Sequence, residues 1–280
     1  MEPLLPIDTA GLLPPLHDAL VSLLRGLAPD DWERPTVAGA WRVRDVAAHL
    51  LDGDLRTLSA YRDGHSPPPP EPIRGYGDLV RFLDGLNAGW VAAAERLSPR
   101  VLTGLLEWSG PGAAAALASR APDSEAVYPV AWAGEERSEH WMDVGRHYTE
   151  RWHHQMQVRD AVGAPLLLGD PWLRPLLELS VRALPHAYAS VPAPDGAALV
   201  LRVTGEEGAG GAWSLARERG AWRLLGGAAP EPTTVVRLDA DAAWRLFYNA
   251  LPAGAARERA VVTGDAELAE PLFATRSVMV

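Results

Sequence analysis

Apolar residues recur every three or four positions through the first 163 residues, and this period predicts helices. The first runs from about Leu12 to Leu27, with Leu13, Leu16, Leu20, Leu23, Leu24 and Leu27 on one stripe; Pro14 and Pro15 fit its first turn. A second is expected from about Val43 to Tyr61, with Val46, His49, Leu50 and Gly53 on its inner face. Its N-terminus looks poorly capped, because Arg42 stands where Ser or Thr is preferred. His65 to Pro72 is a proline-rich loop. Asp78 to Leu97 reads as a third helix, with Leu79, Phe82, Leu83, Leu86, Trp90, Ala93 and Leu97 facing inward. Ser98 to Glu136 carries alanine runs broken by Gly and Pro, room for a short helix. A last long helix is expected from Ser138, as N-cap, to Gly163. Four long helices with one crossover point to a four-helix bundle.

Asp170-Pro171 reads as an N-cap with proline at the first helical position, opening a bridging helix to about Tyr188. VPAPDG (Val191–Gly196) is a turn, and beyond it the period changes to alternation. Strands are expected at Ala198–Thr204, Trp213–Arg217, Ala221–Leu225, Thr234–Leu238 and Arg259–Thr263, with a hairpin across Glu218–Gly220. Asp239 and Asp265 are placed to cap helices at Ala240–Ala250 and Ala266–Phe273. The expectation is an α+β protein of two domains: a helical domain over residues 1–190 and a small α+β domain over residues 191–280.

Composition narrows the chemistry. The 280 residues carry a net charge of −10, which argues against a nucleic-acid partner. There is no cysteine, so disulfides, thiolate metal sites and a cysteine nucleophile are excluded. There is no lysine either, which removes Schiff-base chemistry and a P-loop lysine. The first twenty residues have no basic start, and early prolines break their apolar run, unlike a secretory signal. No stretch has the roughly 18 uninterrupted apolar residues of a membrane span. The expectation is a cytoplasmic protein without membrane contact, as a monomer or homodimer.

The candidate chemistry lies in Trp141–Gly163, which reads WMDVGRHYTERWHHQMQVRDAVG. Glu150 and His154 are four residues apart, one turn on the same helical face. His147 extends that stripe, and His49 sits on the second helix. A carboxylate and two imidazoles suit a borderline divalent metal such as zinc, with nickel as the alternative. The same spacing also suits a solvated surface pair worth a few tenths of a kcal/mol, and His49 alone suits a satisfied core position. His147 reads as a support behind the ligands, an alternative ligand or a partly exposed polar residue. His153 points about 100° away from His154 and reads as structural. Trp41, Trp141 and Trp152 are candidates for a pocket wall or for core. Arg237 and Arg245 are candidate anion contacts or solvated charges.

The run WRVRDVAAHL at Trp41–Leu50 and the E-x-x-x-H at Glu150–His154 resemble the N-terminal domain of mycothiol-dependent maleylpyruvate isomerases, within the DinB/YfiT-like group. VVRLDADAAWRLF and VVTGDAELAEPLF resemble the sterol-carrier-like C-terminal domain of that family. The resemblance implies a divalent ion on His49, Glu150 and His154. It also implies a low-molecular-weight thiol such as mycothiol, activated at the ion's open position to attack a small electrophilic substrate. Isomerisation or S-transfer would follow. Two departures stand out: Gln157 replaces the aspartate many members carry three residues after the second histidine, and Asn249-Ala250 replaces a Gly-Arg pair. A metal-dependent hydrolase, with His147 as base, and a non-enzymatic protein holding metal or an apolar ligand are the rival readings.

Overall fold

The structure is a computed structural model that describes residues 1–128 and 137–277. Packing divides the chain into two compact units. The helical unit holds residues 8–128 and 137–166. Its main elements are α1 (Leu13–Arg25), α2 (Val43–Thr57), α3 (Tyr76–Ala94), α4 (Pro99–Ala118) and α5 (His140–Val162).

α1, α2, α4 and α5 pack together around Leu20, Leu24, Val46, Leu50, Leu51, Leu102, Leu106 and Val158. The fourth bundle helix is therefore α4, in the stretch where only a short helix was expected, and not the third helix of the sequence reading. Local signals undersell α4, because Gly104, Gly110, Pro111 and Gly112 lower its propensity. Its start is nevertheless well specified: Ser98 Oγ accepts from Val101 N, and Pro99 occupies the first helical position. Burial of Leu102, Leu106, Ala113 and Leu117 supplies the rest. Residues 129–136 of that stretch lie outside the described part.

α3 lies against α2, where Trp90 Nε1 donates to the Ala48 carbonyl. Its expected stripe is only partly covered: Leu86 stays 41% exposed. The α2 start, which lacks a Ser or Thr cap, is capped by Asp45, whose carboxylate accepts from the Arg42 backbone N–H at 2.9 Å and its side chain at 3.0 Å. α2 ends in a π turn at Leu58–Arg62. α5 starts with Glu139, not Ser138, at the N-cap position, and closes on Gly163 in the left-handed region at φ 69°.

The second unit holds Met1–Ile7 with residues 167–277. Its helices are α6 (Leu173–Ser180), α7 (Leu184–Ala187), α8 (Ala240–Phe247), α9 (Ala253–Arg259) and α10 (Ala266–Ala274). Its strands are β1 (Glu2–Pro3), β2 (Ala198–Thr204), β3 (Gly211–Glu218), β4 (Ala221–Gly226), β5 (Thr234–Asp239) and β6 (Val261–Gly264), ordered β1-β4-β3-β2-β5-β6. β2 and β5 are parallel and the other pairs antiparallel.

Two boundaries differ from the sequence reading. The segment read as a bridge packs with the sheet unit, because Leu173, Leu176, Leu177 and Leu179 bury their stripe there; the division falls at residue 166, ahead of the expected 190. The first residues also join this unit, since Glu2 and Pro3 pair with Gly226 and Leu225. The Asp170-Pro171 bond is cis and α6 begins later, with Trp172 at the N-cap position. α9 is a helix that the alternating pattern did not announce. Asp239 and Asp265 cap α8 and α10 as their positions suggest.

Candidate metal centre

α5 runs antiparallel to α2 along their shared seam, so residues far apart in sequence meet in pairs. His49 comes from α2, Glu150 and His154 from α5, and one ligand atom from each lies within 4.8 Å of the others. His154 Nε2 is 3.3 Å from Glu150 Oε2, and His49 Nε2 is 3.7 Å from the same oxygen. The two imidazole rings stand edge to face, 4.6 Å between centroids.

These separations fit an ion. Ligands about 2.0–2.1 Å from a tetrahedral zinc stand roughly 3.3 Å from one another. The outer nitrogens are treated differently. His154 Nδ1 meets Gln157 Oε1 at 2.7 Å, which gives Nδ1 the proton and leaves Nε2 free to ligate. His49 Nδ1 is buried without a hydrogen-bond partner.

Electrostatics favour the ligating forms. Burial works to raise the Glu150 pKa, but the facing His154 and His49 imidazoles outweigh it and hold the carboxyl well below the usual range. Burial lowers the His49 pKa despite the nearby carboxylate, so its imidazole stays neutral. Neutral imidazoles and an ionised carboxylate are the states a divalent ion needs.

Trp41 walls one side, with its ring 5.0 Å from His49 and 6.1 Å from His154. Trp152 is fully buried, and Trp141 bonds Glu139, outside the triad. His153 stacks behind His154 at 3.9 Å and ties Nδ1 to the Thr149 carbonyl. His147 is not among the converging side chains. It is mostly buried: Nδ1 lies 3.5 Å from Thr57 Oγ1 and Nε2 lies 3.8 Å from Asp54 Oδ1. Burial, helped by Arg151, pushes its pKa down to about 4. Arg245 and Arg237 belong to the other unit, where Arg245 pairs with Asp241 at 2.9 Å and Arg237 lies exposed on β5.

Below the triad lies a buried network that no spacing announces. Asp54 of α2 pairs with Arg151 of α5 and accepts from Ser109 Oγ of α4 at 2.9 Å. Arg151 Nη1 meets His17 Nδ1 of α1 at 2.8 Å. Burial and the Arg151 charge lower the His17 pKa, so the neutral ring accepts that bond. Gly110 makes the arrangement fit: a Cβ there would come within 2.1 Å of the His17 ring.

A comparison with protein families matches residues 13–159 to the family described as mycothiol maleylpyruvate isomerase N-terminal domain. The chain belongs to this family. Among solved structures, the crystal structure of the mycothiol-dependent maleylpyruvate isomerase is similar, at TM-score 0.55 and 16% identity over 92% of each chain. A histidine-to-alanine mutant of that enzyme gives TM-score 0.55 and 15% identity over 92% of each chain. A ubiquinone synthesis protein, UbiJ-SCP2, gives TM-score 0.24 and 22% identity over 33% of this chain and 76% of its own. A comparison with curated proteins finds no match. The α+β fold, with helical and sheet units in that order, is thus the fold of the maleylpyruvate isomerase structures. Among the described residues, no helix is long and apolar enough to cross a membrane.

Proposed function

We propose that this protein holds one divalent ion on His49, Glu150 and His154 and uses a low-molecular-weight thiol, mycothiol or a relative, on a small electrophilic substrate. The observation that carries the reading is the convergence of these three side chains, with ligand atoms within 4.8 Å, in a member of the maleylpyruvate isomerase family. Two nitrogens and one carboxylate oxygen suit zinc, with nickel as the alternative. Such an ion would supply Lewis acidity, lowering the pKa of a thiol so that it ionises near neutral pH.

The chain's own residues do the rest. Three protein ligands leave room for an exogenous group, the arrangement of catalytic centres. Gln157 holds the His154 tautomer. Trp41 covers one side of the triad and limits water there. With no cysteine in the chain, the sulfur must come from outside. Isomerisation of a cis double bond and S-transfer are the two outcomes open to an external thiol. Gln157 and Asn249-Ala250, where the family pattern carries other residues, leave maleylpyruvate itself as one candidate electrophile among several.

The test is metal analysis of tag-free protein with and without His154→Ala, followed by thiol titration of the cobalt-substituted form. One ion per chain, lost in the variant, and a sulfur-dependent change in the visible spectrum are expected. Equal metal content in both proteins rejects the site. An intact site that no biological thiol perturbs moves the reading to a hydrolase or to a binding protein.

A further inference from the structure

The two histidines of the triad face Glu150 alike but are backed differently. Each turns Nε2 to the same Glu150 oxygen, His154 from α5 and His49 from α2. His154 is tied from behind by the residue three positions later, Gln157, at 2.7 Å. His49 has no such tie, for its Nδ1 is buried without a hydrogen-bond partner. A neutral imidazole that ligates an ion through Nε2 carries its proton on Nδ1. That N–H needs an acceptor, and its burial keeps bulk water from serving as one.

The residue three positions after His49 is Asp52. Within α5 the same spacing brings Asp143 Oδ2 to 3.5 Å from His140 Nδ1, so an aspartate placed this way approaches the Nδ1 side of a helical histidine. Asp52 is mostly buried, and its carboxyl senses the His49 ring: burial raises its pKa, while the charges of Arg56 and His49 lower it. Arg56, one turn further on, holds Asp52 Oδ2 at 3.0 Å. His49 and Arg56 flank Asp52 on one helical face, so side-chain rotation alone carries the carboxylate from one to the other. Arg56 loses little in that exchange, because its side chain is 42% exposed and water solvates it. Glu150 does not compete, since it lies on the Nε2 side of the ring.

We propose that Asp52 is the positioning residue of His49. With an ion on the triad, its carboxylate accepts the hydrogen bond from His49 Nδ1–H, fixes the tautomer that ligates through Nε2 and orients the ring. A carboxylate behind His49 and an amide behind His154 make His49 the stronger donor of the two. The inference rests on the proposed ion at the triad, but not on the thiol.

Zinc affinity by chelator competition, read beside the ring N–H signals of histidine-labelled zinc protein, tests it. Asp52→Ala should weaken zinc about 10–100-fold. It should also move one ring N–H signal upfield and leave the one bonded to Gln157 in place. Asp52→Asn retains an acceptor oxygen, and should keep most of the affinity and the downfield signal. Arg56→Ala frees the carboxylate and should hold zinc as tightly as wild type or more so. If Asp52→Ala folds poorly, Asp52→Leu, which fills the position without an acceptor, takes its place. A carboxylate acting only through its charge would make Asp52→Asn match Asp52→Ala. One acting only through Arg56 would make Arg56→Ala as weak as Asp52→Ala. Either result, or unchanged zinc affinity in Asp52→Ala, overturns the positioning role. Wild type that binds zinc but no thiol leaves this role standing and removes the thiol reading. Wild type that takes up no zinc overturns both.

Discussion

His154 gives its Nδ1 proton to Gln157 Oε1 across 2.7 Å, and this bond leaves Nε2 facing Glu150 at 3.3 Å. An amide oxygen draws on the imidazole less strongly than a carboxylate would, so the ring is a weaker base and a weaker donor to an ion. Gln157→Asp should tighten metal binding, and Gln157→Leu should weaken it by about 10–100-fold. Competition with a chelator of known affinity measures both; equal affinities in all three proteins would refute the role given to Gln157.

The Asp54–Arg151 pair is fully enclosed, with side chains 0% and 3% exposed. Removing one partner strands the other charge, so Asp54→Ala should cost about 3–5 kcal/mol. Replacing both together, as Asp54→Leu with Arg151→Met, should recover most of that loss. Urea midpoints for Asp54→Leu, Arg151→Met and the double give the coupling; additive losses would show that the pair is not coupled.

Acid should destabilise the metal-free protein. Burial pushes His147 down to about 4 and His153 to about 3, against about 6.5 in the unfolded chain. As pH falls below 6.5 the unfolded state gains protons that the folded imidazoles refuse, so stability declines toward pH 4 and is flat just above 6.5. Each histidine contributes a slope of up to about 1.4 kcal/mol per pH unit in that window. Chemical denaturation of the apo protein from pH 7.5 to 4.5 reads the slope, and His147→Gln should reduce it. A slope that His147→Gln leaves unchanged contradicts the assignment.

The β3–β4 hairpin turns on Arg219 and Gly220, at φ 50° and 76°. Two positive φ values are the signature of a type I′ turn, which favours Asn-Gly. Arg219→Asn should therefore raise stability, by up to about 1 kcal/mol, and calorimetric Tm should rise by a few degrees at most. A lower Tm would show that the arginine side chain contributes more than the strain costs.

The sequence by itself determined the features that depend on near neighbours. Glu150 and His154 share a helical face because four residues make about one turn, and Gly163, Asp239 and Asp265 mark helix ends through their own backbone and side-chain chemistry. The strand at Thr234 follows from alternation, and the one at Ala198 from a short run rich in Val and Leu. Only the tertiary structure decided the rest. α4 forms against weak local propensity because burial of its leucines outweighs Gly and Pro. Glu2–Pro3 joins the sheet through pairing with β4, which no local pattern encodes. His17, Asp54, Ser109 and Arg151 come from four different helices, so no period in the chain links them. His49 stands about a hundred residues before Glu150, and the α2–α5 seam brings them together. Spacing orders side chains along one element; only packing between elements sets the distances on which a metal centre or a buried ion pair depends.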